Sequence, residues 1–476
     1  MTLSYIFYDL ETSGLHKSFD QVQQYAAMRV DAQWQKLACY YEEARLSADV
    51  VPSAYAAITH RLDLTQESKR QSEYSAVCAI HRHLNEPQTI SLGYNTLGFD
   101  DEFLRFAFHR HLLSPYTHQY AQGCRRMDVF PIAVCYYLYR PGGIEWPMRD
   151  GRASFRLEDI VSANGWQVGP AHHAMHDVDA TFRLARELRQ SDPVMWSFLE
   201  GYFDKRVDME RCMRLPRIAI GATEYSLGLM WGGSFGVDAE FQSAVVCLGN
   251  HSRYKNQQMW LRLDRERFED KGWAVLGEGA EIVRKKLGEP YFCLPYEERF
   301  YKKMTVERRQ TVQDNIKFIS QNTTEWQALE TAIRREEYPQ VEGVDIDADL
   351  YLAGFESPEE VVLSQKFHHA KEKQRIAMLL PWKKTRWQQR ALRCLWRMGT
   401  QELPEILQGE INTYTNNLRR GIDLPTDYRG RSRPTIADLQ QQIQDLHNQE
   451  HLDREQKEIL TTLSSHYVMT SAKELL

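Results

Sequence analysis

Over roughly the first 190 residues, short β-type apolar runs alternate with helix-type runs, and this alternation restricts the fold more than any other feature. Strand-like stretches at 5–8, 24–30 and 89–94 are interleaved with helix-like ones at 101–111, 129–138 and 177–189. A hydrophobic period that switches repeatedly between 2 and 3.6 predicts an α/β domain. From about 200 to 335 the texture changes: "GLMWGGSFG" precedes "SAVVCLG" and "QMWLRLD", which read as twisted strands joined by glycine turns, a small β-rich domain. "EEYPQVEGVDIDAD" at 336–349 is acidic, carries Pro339 and Gly343 and lacks periodicity, so it reads as a linker. Beyond it the chain reads helical, with Ile436, Leu439, Ile443 and Leu446 spaced as one apolar stripe. The expected division is 1–195, 196–335, the linker 336–349, and 350–476; a chain of 476 residues exceeds one ordinary core.

Hydrophobic content of 42% and charged content of 26% are those of a folded protein, not a disordered one. No charged-then-apolar leader precedes the first strand and no run of about 18 apolar residues occurs, so the expectation is a cytoplasmic protein with no membrane partner. Eight cysteines lie far apart without a C-x-x-C pair, which signals neither a disulfide framework nor zinc; they read as reduced, mostly buried thiols. The net charge of −6 says little, because a basic groove can be local. At 361–400 there are ten bases (Lys366, Lys371, Lys373, Arg375, Lys383, Lys384, Arg386, Arg390, Arg393, Arg397) against the single acid Glu372, a candidate phosphate-contacting surface.

The first strand ends in "YIFYDLETSG". Strand side chains alternate faces, so Asp9 and Glu11 project to the same side, about 7 Å apart along the backbone. A solvated strand end explains such a pair taken alone. A second strand-like run, "TISLGYN", leads into "TLGFDDEFLRFAF", with Asp100 and Asp101 at a helix start, where capping by itself accounts for one acid. A third segment, "AHHAMHDVDATFRLARELR", brings His172, His173 and His176 near Asp177 and Asp179 at another helix entry. Open α/β sheets gather such ends at one edge, where ligands bind.

In order, spacing and context these three segments resemble the DEDDh 3'-to-5' exonucleases, relatives of polymerase proofreading domains. Asp9-Leu10-Glu11 matches the family's D-x-E, Asn95, Phe99 and Asp100 match its second motif, and His172 with Asp177 matches its third. His173 stands where the tyrosine variant of the family would have Tyr, so the histidine subtype fits better. "YRPGGIEWP", "SFRLEDIVSANG" and "AHHAMHDVDAT" narrow the resemblance to the bacterial exonuclease I branch, which "DADLYLAGFES" and the chain length support.

The resemblance implies an RNase H-like exonuclease domain with a mixed sheet, a small SH3-like β domain and a C-terminal helical domain. Crowded carboxylates repel one another and call for a cation, and oxygen donors favour hard ions: Mg2+, two ions, with Mn2+ able to substitute. As the resemblance implies, Asp9 would bridge both metals, Glu11 and Asp177 would complete the site of the nucleophilic water, and Asp100 would serve the leaving-group metal. His172 would be the general base; His173 and His176 flank it as competitors for that role. Asp101, Asp128 and Asp179 read as helix caps or solvated acids.

In "LLPWKKTRWQQRALRCLWRMG", Trp382, Trp387 and Trp396 interleave with Lys383, Lys384 and Arg386. A groove in which phosphates meet cations and bases stack on aromatics has this composition; so does an amphipathic helix with its tryptophans in the core. Further basic patches lie at "RFYKKMTVERR" and "LRRG", and "MWGGSFG" fits either a strand-binding channel or the turns of a β domain. The implied activity is removal of 5'-mononucleotides from the 3' end of single-stranded DNA by a monomer in DNA repair, processively. The acidic tail of single-strand DNA-binding protein would be a partner. The rivals are a DEDDh nuclease for RNA ends or polymerase proofreading, and a silent single-strand-binding scaffold.

Overall fold

The structure, a computed structural model, describes residues 2–61, 69–166, 174–276, 281–400, 402–448 and 451–468. Strands β1 (Ser4–Thr12), β2 (Val22–Asp31), β3 (Lys36–Glu43), β4 (Thr89–Gly93) and β5 (Arg125–Asp128) form a sheet of order β3-β2-β1-β4-β5. The β1–β2 and β2–β3 pairs are antiparallel and β1–β4 and β4–β5 parallel, so the sheet is mixed, as expected. Helices α1 (Ala54–His60), α2 (Glu73–Leu84), α3 (Asp100–Arg110), α4 (Val129–Tyr139), α5 (Leu157–Ala163) and α6 (Ala174–Ser191) belong to this part.

The period of 2 in β1 serves both faces. Ile6, Tyr8 and Leu10 enter one core with Val77 and Ile80 of α2 and Phe103 and Leu104 of α3. Tyr5 and Phe7 enter the other, with Val129 and Ile132 of α4 and Val178, Leu184 and Leu188 of α6. Asp9 and Glu11 continue the Tyr5–Phe7 face where that core runs out. Strand β3 did not stand out in the sequence: it is an edge strand, its alternate residues are exposed, and "KLACYYEE" carries the charges by which an edge resists foreign pairing.

A second, six-stranded antiparallel sheet comprises Arg217–Ile220, Thr223–Trp231, Gln242–Asn250, Gln257–Arg262, Ile282–Lys286 and Phe292–Pro295. Helices Val306–Gln321 and Thr323–Arg335 cover it, Val312, Ile319 and Trp326 packing on Leu229, Val246 and Met259. The remainder is helical, with helices at Pro358–His369, Glu372–Met378, Arg386–Arg397, Glu405–Arg420, Ile436–His447 and Arg454–Leu463. The stripe read from the sequence is used, but across the molecule: Leu439, Ile443 and Leu446, with Leu460 and Leu463, pack on Ala54, Ala57 and Ile58 of α1.

The acidic 336–349 stretch and the basic 361–400 stretch, separate features in the sequence, meet in space. Arg386 grips Asp349 with two nitrogens at 2.8 and 2.9 Å, and Arg393 reaches Asp345 at 2.6 Å and Asp347 at 3.0 Å. Arg397 binds Asp347 at 2.5 Å and Asp49 at 2.7 Å, and Arg433 adds a second cation to Asp49 at 3.1 Å. Burial by itself would raise Asp49 and Asp347; Arg397, helped by Arg433 at the first and Arg393 at the second, outweighs it and holds both carboxyls below the usual range. Five of the bases thus serve the fold, since Arg390 pairs with Glu356 and Arg375 donates to the Phe367 carbonyl. All eight cysteines are free, five of them buried, and among the described residues no helix is long and apolar enough to cross a membrane.

Candidate active site

Three elements deliver the acids. β1 presents Asp9 opposite Ala26 and Glu11 opposite Gln24, and the ladder shifts register immediately after Glu11. Asp100 opens α3, and Asp177 lies in the first turn of α6. All four line one cavity of about 660 Å³, and Asp9, Glu11 and Asp177 bring carboxylate oxygens within 4.8 Å of one another. Burial raises the Asp9 carboxyl well above its ordinary value, and Asp100, Glu11 and Asp177 raise it further. Asp100 is raised by burial as well, with Glu11 and Asp128 adding to it, against the lowering effect of its own amide and that of Leu10. Carboxylates placed where they resist ionisation together are short of positive charge. The all-oxygen donor set fits a hard divalent cation.

The neighbours Asp100 and Asp101 have opposite environments. Asp101 faces away, into a buried cluster with Arg105 at 2.7 Å, His118 at 3.1 Å and Arg126. Burial would raise it, yet Arg105 and Arg126 bring it far below the carboxylate range. Asp128 caps α4 by accepting the Phe130 N–H at 2.9 Å, as a helix cap should, and also accepts the amides of Asn95 at 2.8 Å and Leu97 at 3.1 Å. It thereby ties β5 to the turn that aims Asp100. Burial outweighs those three bonds and leaves its carboxyl at about 6.

The turn after β1 is fixed by Asp20, which accepts the His16 amide at 2.7 Å and the Ser13 hydroxyl at 3.0 Å. Gly14 passes so close that a Cβ there would lie 2.4 Å from Asp20 Oδ2. Residues absent from the sequence-based site complete the cavity. His60, at the end of α1, pairs through Nδ1 with Glu11 Oε2, and Thr435, Asp438 and Gln442 form a wall from the C-terminal helices. No local signal marks them, because tertiary packing alone brings them there.

His172 and His173 lie outside the described residues. His176 is half-buried on α6, and it is not among the described residues that line the cavity. Of the residues assigned to a nucleic-acid strand, Trp387 is buried, donating its indole N–H to Ser364 at 3.0 Å, and Arg386 is engaged by Asp349. Trp382 is half-buried; Lys383 and Lys384 are exposed, the latter with its ammonium 2.6 Å from Glu410.

No protein-family model matches the chain. Curated relatives do. Exodeoxyribonuclease I of Escherichia coli K12 is 33% identical over 208 residues, 42% of this chain and 43% of that protein. Exodeoxyribonuclease I of Buchnera aphidicola subsp. Schizaphis graminum is 31% identical over 219 residues, 45% of its length, and that of Haemophilus influenzae 30% over 208 residues, 43% of its length. The aligned part therefore spans less than half of each relative. Among solved structures, E. coli exonuclease I in complex with a dT13 oligonucleotide superposes with a TM-score of 0.81 over all of both chains at 22% identity. A structure described as SSB/exonuclease I in complex with the inhibitor CFAM gives 0.79 at 22% identity. The chain is thus similar in sequence to exodeoxyribonuclease I proteins along two fifths of its length, and it shares the fold of E. coli exonuclease I along all of it.

Proposed function

We propose that this chain is a divalent-cation-dependent exonuclease that removes 5'-mononucleotides from the 3' end of single-stranded DNA. The observation that carries the reading is the convergence of Asp9, Glu11, Asp100 and Asp177 on one open cavity, with two of the carboxyls raised by burial and by their neighbours. Those four residues would hold Mg2+, as two ions with Mn2+ able to replace them, and when bound such a pair stabilises the attacking and leaving oxygens of an in-line phosphoryl displacement. The protein's own residues orient and exclude. Asp128 fixes the turn behind Asp100, and Asp20 and the wall of Thr435, Asp438 and Gln442 bound the cavity. His172 is assigned the proton of the attacking water, a role suited to an imidazole near neutral pH.

The oligonucleotide-bound structures favour a DNA strand as substrate, and the SSB/exonuclease I complex favours a single-strand DNA-binding protein as partner; the nuclease is proposed to act as a monomer. Lys383 and Lys384 are the phosphate contacts assigned from the C-terminal part, whereas Arg386, Trp382 and Trp387 are engaged within the fold, by Asp349, by packing on the helical core and by Ser364 respectively. Digestion of 5'-labelled single-stranded DNA, duplex DNA and RNA of matched sequence, with Mg2+ and with EDTA, tests the proposal. The expected result is a ladder shortening from the 3' end of single-stranded DNA, abolished by EDTA. Faster loss of RNA, or cleavage unaffected by EDTA, would refute it.

A further inference from the structure

Glu11 has a partner that the acid motif does not include. His60 is the last residue of α1, its side chain is 14% exposed, it lines the acid cavity, and its Nδ1 lies in ion-pair contact with Glu11 Oε2 and has no hydrogen-bond partner among the described residues. A carboxylate has two oxygens. With Oε2 against His60, Oε1 is the oxygen that would serve the space shared with Asp9 and Asp177. Partners behind a ligand set its orientation, and their removal typically lowers metal affinity by about 10–100-fold.

What puts His60 there comes from the other end of the molecule. Ser53 is positioned to cap α1, but its side chain makes no capping bond; instead Gln442 Oε1 accepts the Ala54 N–H at 2.8 Å and the Ser53 hydroxyl at 3.0 Å. Ala54, Ala57 and Ile58 rest on Leu439, Ile443 and Leu446. At the far end, Arg61, the residue after His60, pairs with Asp453 at 2.6 Å and Glu455 at 2.5 Å. Both ends and the apolar side of α1 are therefore held by residues 439–463.

We propose that His60 is a positioning residue that orients Glu11 for the cation, and that the C-terminal helices, by holding α1, take part in assembling the metal site. The proposal rests on the metal-dependent reading above. It is tested on the full chain by titration with Mn2+, free ion being followed by electron paramagnetic resonance, in the wild type and in Asp9→Asn, His60→Leu, His60→Asn and Gln442→Ala. The asparagine amide can place a nitrogen where Nδ1 stands. Expected are a loss of Mn2+ affinity of about 10–100-fold in His60→Leu, retention within about threefold in His60→Asn, and a smaller loss of several-fold in Gln442→Ala, which does not touch Glu11. Wild-type or tighter binding by His60→Leu would overturn the proposal, the tighter case making His60 a competitor of the ion. Equal weakness of the asparagine and leucine variants would overturn it also, and wild-type affinity in Gln442→Ala would overturn the part given to the C-terminal helices. If the wild type takes up no Mn2+ that Asp9→Asn removes, the metal reading itself falls and this proposal with it.

Discussion

Replacing Arg397 by methionine should destabilise the protein by about 3 kcal/mol at neutral pH. The methionine keeps most of the buried stem, so packing changes little and the loss is one of charge. Arg397 Nη2 lies 2.7 Å from Asp49 and 2.5 Å from Asp347, carboxylates whose side chains are at most 1% exposed. Stranding a buried charge costs about 3–5 kcal/mol. Here each acid keeps some help: Asp49 retains Arg433 at 3.1 Å and the Tyr414 hydroxyl at 2.9 Å, and Asp347 retains Arg393 at 3.0 Å, which puts the cost at the low end. The pH dependence has a definite sign. Both carboxyls are held below their unfolded value, so their stabilising effect is complete above about pH 4 and drains away as pH falls through that value toward the folded ones. The gap between wild type and variant should therefore narrow on acidification. Urea unfolding followed by near-ultraviolet circular dichroism at pH 7 and below pH 4 measures both. A gap under about 1 kcal/mol at pH 7, or one that widens in acid, would refute the assignment of the network.

Asp9→Asn and Asp177→Asn should each lower the cleavage rate by roughly 100-fold or more while leaving binding of single-stranded DNA intact, since several kcal/mol of charge stabilisation depend on the site; end-labelled digestion beside fluorescence anisotropy checks this. Lys383→Glu should weaken DNA binding and reduce its salt slope by about one unit, whereas Lys384→Glu should do less because Glu410 already holds that ammonium; binding measured across a salt series separates them. Gly14→Ala forces a methyl onto Asp20 and should destabilise by about 1–3 kcal/mol, read as a fall in melting temperature, with turnover reduced because the turn after β1 shifts.

The parts of the site legible in the sequence are those that local geometry dictates. Asp9 and Glu11 share a face because a strand has a period of 2, and Asp100 and Asp177 stand at helix starts that any α/β domain directs to one sheet edge. The choice between Asp100 and Asp101 is not local: one residue faces the cavity and the next faces Arg105, Arg126 and His118. The basic stretch was legible as charge, but not as charge answered by Asp345, Asp347, Asp349 and Asp49, because those partners lie tens to hundreds of residues away. Trp387 illustrates the same limit, since an aromatic among bases reads alike whether it stacks on a nucleobase or fills a core. His60 was invisible for a simpler reason: what matters about it is where helices 380 residues further on hold it.

The wall supplied by Thr435, Asp438 and Gln442 has a consequence for how the molecule comes into being. From Asp177 to Thr435 there are 435 − 177 = 258 residues, which a ribosome adding 5–20 residues per second needs roughly 13–50 s to make. Until that segment is made, the chain lacks both the residues that supply this side of the cavity and those on which α1 rests. Enclosure of the cavity and support of α1 thus arrive together, late in translation.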